Sequence, residues 1–143
     1  MARDLVDVGT EFGARATRRL REDGIAWLIT VAADGTPQPN PVWFIWNGES
    51  ALIYSVPGQA KVKNIERNPK VALHLDSQNS GDDIVILTGK AEIDSTAPPL
   101  DRNDAYVGKY RDDIERIGFA NAADMTRKYS VPIRFTPERV RGF

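Results

Sequence analysis

The chain has 143 residues, 41% hydrophobic and 27% charged, with a formal net charge of −1, one histidine and no cysteine. This balance is ordinary for one globular domain spanning residues 1–143. It excludes disulfides, thiolate metal sites and a cysteine nucleophile, and it provides no basic field for a nucleic acid partner.

The first residues, Met1-Ala2-Arg3-Asp4-Leu5-Val6-Asp7, lack the apolar core of a signal peptide. No apolar run approaches the ~20 residues of a membrane helix, so a cytoplasmic protein with no membrane partner is expected. Thr10 to Asp23 reads as a helix. Phe12, Ala16 and Leu20 recur four apart, and Arg15, Arg18, Arg19 and Arg21 fall mostly on other faces, which reads as a solvated surface. Gly24 stands where a helix C-terminus usually places glycine.

Ile25 to Ala32 is rich in β-branched and aromatic residues and predicts a strand. Asp34-Gly35 is a hairpin signal. Pro39 to Trp46 follows as the partner strand, apolar at every position from Pro41 onward. A strand wet on one face alternates, so this one is expected to have both faces covered, one of them by a subunit partner or an aromatic ligand. Pro37, Pro39 and Pro41 hold the backbone extended and leave carbonyls unpaired. Such a stretch suits either a wall against a flat ligand or an edge strand.

Asn47-Gly48 marks a turn and Ala51 to Val56 a third strand. The segment Ser55-Val56-Pro57-Gly58-Gln59-Ala60-Lys61-Val62-Lys63-Asn64-Ile65-Glu66-Arg67 then reads as strand end, tight turn and basic helix. Helix Ala60 to Arg67 stops at Asn68-Pro69, because the residue before proline avoids helical geometry. Backbone N–H groups at its start offer an anion site beside Gln59, Lys61 and Lys63. On spacing alone, the same charges also fit an ordinary solvated helix face.

Lys70 to Asp76 predicts the fourth strand, with His74 as a packed strand histidine, and Ser77 to Asp83 a polar loop whose Asp82-Asp83 pair reads as solvated. Ile84 to Ile93 is the fifth strand, with Gly89 marking a bulge or corner. After Ala97-Pro98-Pro99, Leu100 to Ile117 reads as one helix with Tyr106, Tyr110 and Ile114 on a common face. Asn121 to Tyr129 reads as a short one, and Pro132 to Phe143 as two short strands or one bent strand. Short strands joined by tight turns predict an α+β fold, a split antiparallel β-barrel with flanking helices. There is no Gly-x-Gly-x-x-Gly, which disfavours a dinucleotide-binding Rossmann unit.

The block Tyr54 to Leu73 resembles the phosphate-binding strand–helix–strand unit of the split-barrel flavin and deazaflavin oxidoreductases, the family that includes pyridoxamine-phosphate oxidase. Thr30 to Phe44 resembles that family's first hairpin. The likeness is strongest from Ile25 to Leu75. It implies a homodimer with the cofactor site at the subunit interface. Lys61 would contact the cofactor phosphate, with Ser55, Gln59, Ala60, Lys63 and Asn64 around the phosphate and linker. Asn40, Pro41, Val42 and Trp43 would line the ring.

Two departures set the cofactor expectation. The flavin-mononucleotide (FMN) enzymes carry Arg and Lys on the second strand of the hairpin, where this chain has only apolar residues from Pro41 to Trp46. The arginine that usually precedes the phosphate lysine is Ala60 here. FMN would forgo several charge-assisted hydrogen bonds, each worth ~1.5–3 kcal/mol. The pattern looks more like the deazaflavin branch, which uses coenzyme F420.

The resemblance therefore implies hydride transfer between reduced F420 and a small conjugated or quinone-like acceptor. The alternatives are an FMN-dependent oxidase of a pyridoxine-like phosphate and a non-catalytic cofactor-binding protein of the same fold. No side chain presents itself as general acid, no metal set is present, and Trp43 is the residue expected to stack on the ring.

Overall fold

The structure, a computed structural model, describes residues 5–78 and 80–143. Helix α1 (Glu11–Glu22) leads into β1 (Ala26–Val31), β2 (Pro37–Val42), the two-residue β3 (Ile45–Trp46) and β4 (Ala51–Ser55). Helix α2 (Ala60–Arg67) connects to β5 (Lys70–Leu75) and β6 (Val85–Ile93). A 3₁₀ turn (Leu100–Arg102), α3 (Asp104–Arg116), α4 (Ala122–Lys128) and β7 (Val131–Gly142) complete the chain.

The seven strands form one antiparallel sheet in the order β2-β1-β5-β6-β7-β4-β3. It curls into a half-barrel, the split-barrel α+β fold expected. β7 is a single twelve-residue strand that bridges β6 and β4. Gly89 marks a register shift, and a Cβ there would run into the backbone of Thr136 and Pro137. Only glycine lets the two strands approach so closely.

The inner face is largely aliphatic, with Phe44 and Phe135 also buried in it: Leu28, Leu73, Leu87 and Ile133 share one cluster with Ala16 and Leu20 of α1 and Val62 and Ile65 of α2. Among the described residues, the outer face is covered by helices where β4 meets α3 and α4. There Leu52, Tyr54, Leu100, Tyr106, Tyr110, Ile114 and Met125 form a second cluster. Over β1, β2 and β5 the outer face carries Trp27, Ile29, Pro39 and Ala72, partly or fully exposed.

Several sequence expectations are corrected. The strand expected over Pro39–Trp46 is broken at Trp43-Phe44. The Phe44 N–H bonds to the Tyr110 hydroxyl at 2.9 Å and its carbonyl accepts from Lys109 Nζ at 2.9 Å, so α3 replaces the strand ladder here. Pro41 is exposed in the single chain, and of Pro41–Trp46 only Val42 and Phe44 are fully buried. β2 is an edge strand, which accommodates its prolines.

The helix expected from Leu100 is a 3₁₀ turn followed by α3, because the Asn103 side chain caps Tyr106 N–H and starts a new helix. Helix α1 ends at an extended Asp23 rather than on a left-handed Gly24.

The arginine face of α1 is not uniformly solvated. Arg19 is 6% exposed. It bonds to the Asp23 carboxylate and donates to the Asp83 and Asp76 carbonyls, each at 2.6 Å. Arg15 pairs with the Asp83 carboxylate at 2.6 Å, so Asp83 is half of an ion pair that ties the β5–β6 loop to α1. His74 stacks on Trp27 on the outer face, ring centroids 6.4 Å apart.

Candidate functional site

The chain leaves β4 at Ser55 and turns through Gly58, whose φ of +78° lies in the region glycine favours. It then enters α2 with Gln59 as an extended N-cap. The Gln59 side chain does not cap the helix. Its Oε1 accepts from Lys61 Nζ at 2.6 Å and lies 3.3 Å from the buried Ser55 hydroxyl. Lys61 is half-buried, and desolvation pulls its ammonium below the usual lysine range. Among the described residues no carboxylate forms an ion pair with it. A desolvated cation held only by a neutral amide, in the first turn of a helix, is an arrangement that an anion would complete.

Lys61 and Gln59 stand on the rim of a cavity of about 260 Å³ whose other walls are Pro41, Val42, Trp43, Tyr54, Tyr106, Ile117, Met125 and Tyr129. Trp43 sits where the β2–β3 strand breaks. Its indole lies parallel to the Tyr110 ring at 4.5 Å. Tyr110 is itself fixed: its hydroxyl accepts from Phe44 N–H and donates to the Gly24 carbonyl at 2.7 Å. Burial raises the Tyr110 pKa, so the hydroxyl stays protonated as that donor requires. Lys109 lies 4.0 Å from the Phe44 ring centroid, and desolvation lowers its pKa to about 8. α3 thus sets the angle at which Trp43 faces the cavity.

Of the expected residues, Pro41, Val42, Trp43, Gln59 and Lys61 come together in this cavity. Ser55 stands behind Gln59. Asn64 is 5% exposed and directs its amide to the Thr30 hydroxyl at 3.0 Å and the Gln38 side chain at 2.7 Å. Its carbonyl oxygen accepts from Arg67. It pins α2 to β1 and β2 and does not line the cavity. Ala60 and Lys63 are exposed on the helix, and Asn40 lies on β2 outside the cavity wall.

Tyr54, Tyr106, Ile117, Met125 and Tyr129 were not expected as walls. Tyr106 shows its helical spacing in sequence. Nothing local shows that α3 and α4 fold back over β4.

Among the described residues no group of three His, Asp or Glu side chains is placed to hold a metal, and no helix is long and apolar enough to cross a membrane.

Comparison with known proteins agrees with this architecture. An F420 reductase of known structure is 27% identical, with a TM-score of 0.64 over 87% of this chain and 94% of its own. A conserved hypothetical protein from Mycobacterium tuberculosis has a TM-score of 0.68 at 23% identity, over 99% of this chain and 88% of its own. A FAD-binding protein from Mesorhizobium loti has 0.64 at 19% identity, over 89% and 88%. The latter two establish the fold. No protein of curated description matches the sequence. The sequence pattern of the pyridoxamine 5'-phosphate oxidase family matches residues 13–143, nearly the whole chain, and the protein belongs to that family.

Proposed function

We propose that the protein is an F420-dependent oxidoreductase that reduces a small conjugated or quinone-like acceptor. The observation that carries this reading is Lys61: a half-buried cation with no carboxylate ion pair among the described residues, lining an aromatic cavity, in the first turn of a helix. Lys61, Gln59 and the exposed Lys63 hold the phosphate end. Pro41, Val42 and Trp43 hold the ring. Ser55 and Asn64 act from behind, Ser55 on Gln59 and Asn64 by fixing α2 to the sheet.

The cavity fits such a ligand in kind, with aromatic walls at one end and a cation at the other. When bound, F420 supplies the hydride chemistry. The protein binds it, orients it and shields it from water. The bare β2–β3 strand, with no cation from Pro41 to Trp46, favours F420 over FMN, whose terminal phosphate needs several fixed charges. The likeness to an F420 reductase points the same way.

The partner is a second copy of the chain. The exposed outer face of β1, β2 and β5 bears Trp27, Ile29 and Pro39. A shallow basin of about 670 Å³ on it is lined by Ile29, Val31, Pro37, Lys70 and Arg139. This apolar surface with a charged rim has the anatomy of a subunit contact.

Parallel titration with F420 and FMN tests the reading. Tighter binding of F420 is expected, and Lys61→Ala should weaken it by roughly 1–3 kcal/mol without loss of fold. Preference for FMN, or unchanged F420 affinity in the variant, overturns it.

A further inference from the structure

The wall of the Lys61 cavity contains a hydroxyl that the described residues do not satisfy. Tyr106, on α3, is 1% exposed and lines the cavity. Its backbone N–H is capped by Asn103, but its hydroxyl has no hydrogen-bond partner among the described residues. Every side-chain nitrogen and oxygen there that is fully shut off from solvent does have a partner. The Tyr106 hydroxyl therefore keeps a sliver of accessible surface, and the open space beside Tyr106 is this cavity.

Neighbouring polar groups are already engaged. Tyr54 donates to the Pro98 carbonyl at 2.7 Å and accepts from the Asn103 amide at 3.2 Å. Tyr110 is matched by Phe44 and Gly24. Trp43 and Tyr129 are partly exposed, so water reaches their polar ends.

The ring that carries the free hydroxyl is fixed. Tyr54 meets it edge-on at 5.0 Å and Tyr110 at a tilt at 4.9 Å. Burial pushes the Tyr106 pKa up, with Tyr110 beside it as a smaller cause, so the hydroxyl keeps its proton and presents a donor. A nearly buried donor without a partner costs free energy, and a ligand that supplies an acceptor recovers it.

The surroundings narrow that acceptor. Val42, Trp43, Tyr54, Ile117 and Met125 make the wall around Tyr106 apolar or aromatic. One O–H cannot replace the hydration shell of an anion, but it is enough for a carbonyl oxygen. The anionic part of a ligand is served by Lys61 instead.

We propose, resting on the function proposed above, that the Tyr106 hydroxyl donates a hydrogen bond to a carbonyl oxygen on the edge of the bound ring. Tyr106 then fixes which way the ring enters, with its carbonyl edge toward α3 and its anionic tail toward Lys61.

The test compares the wild type with Tyr106→Phe, which keeps the ring and removes only the hydroxyl. Without ligand, the urea midpoint of the variant should be unchanged or higher, because no bond within the protein is lost. Its F420 affinity should fall about three- to tenfold, the scale of one neutral hydrogen bond. In infrared difference spectra, a carbonyl band of bound F420 should move to higher frequency in the variant, a change that a purely structural role would not produce.

A ligand-free variant that is less stable or does not fold would show that the hydroxyl is already matched within the protein, and overturns the proposal. So does unchanged F420 affinity, or a carbonyl band that does not move. In those cases the cofactor reading stands as long as the wild type binds F420. A wild type that does not bind F420 takes down that reading and this proposal with it.

Discussion

The inner face of the sheet buries Leu28, Leu73, Leu87 and Ile133; the outer face, where β4 meets α3 and α4, buries Tyr54, Tyr106 and Tyr110. Aliphatic side chains ask only for exclusion from water and close packing, so the inner cluster can be completed by any elements that supply volume. Tyrosines carry a hydroxyl that must be matched when buried. In the outer cluster Tyr110 is matched by Phe44 and Gly24, and Tyr54 by Pro98 and Asn103. Each such bond fixes a loop or a strand break. The inner cluster therefore holds the barrel together, and the outer one sets the positions of the groups around the candidate site.

This division can be broken experimentally. The largest effect should come from Leu87→Ala. Leu87 is fully buried, and the loss expected is ~2–5 kcal/mol of stability in urea unfolding, with ligand affinity unchanged where the protein is still folded. A change in affinity at full folding would show that the two clusters are not separable.

Tyr110→Phe keeps the ring that stacks on Trp43 and removes the acceptor for Phe44 N–H. It should lower stability by about 1–3 kcal/mol, shift tryptophan emission and weaken F420 binding. Unchanged emission would mean that Trp43 is held by something other than α3. Asn64→Ala sharpens the contrast within α2. It should reduce stability by about 1–2 kcal/mol through lost bonds to Thr30 and Gln38, with a smaller effect on F420 affinity than Lys61→Ala. The reverse order would move Asn64 into the binding site.

The smallest effect concerns Lys109. Its folded-state pKa, about 8, lies below the ordinary lysine value of 10.5 because of desolvation. Between these two values the unfolded chain binds more protons than the folded one, so stability contributed at this site rises with pH across that window. Below about pH 8 the charged lysine is present in both states and its desolvation penalty is felt in full. The stability of the wild type relative to Lys109→Met should therefore climb from pH 8 toward 10.5. A flat difference would remove Lys109 from this account. Its partial exposure keeps the slope shallow.

Local signals carried much of the fold. The β1–β2 hairpin follows from Asp34-Gly35, helix α2 from Pro57-Gly58 at one end and Asn68-Pro69 at the other, and the bulge from Gly89, because each depends on a few neighbouring residues. The strand break at Trp43-Phe44 was not legible. Its cause is a hydroxyl and an ammonium on α3, more than 60 residues away in sequence. Arg19 misled for the same reason: on a helical wheel it is one more surface charge, and only the returning β5–β6 loop makes it a buried clasp.

Sequence by itself determined the composition of the site: an apolar β2–β3 stretch without cations, one lysine two residues past a Pro-Gly-Gln turn, and no cysteine or histidine set for metal or nucleophilic chemistry. Tertiary structure decided which of those residues share a cavity. It left Asn64 behind the helix, brought Tyr54 and Tyr129 from distant segments into the cavity wall, and turned Trp43 toward that cavity. Pattern along the chain reports local backbone preference and which face is apolar, whereas the walls of a cavity come from elements distant in sequence, whose meeting is set by packing and by the matching of buried polar groups.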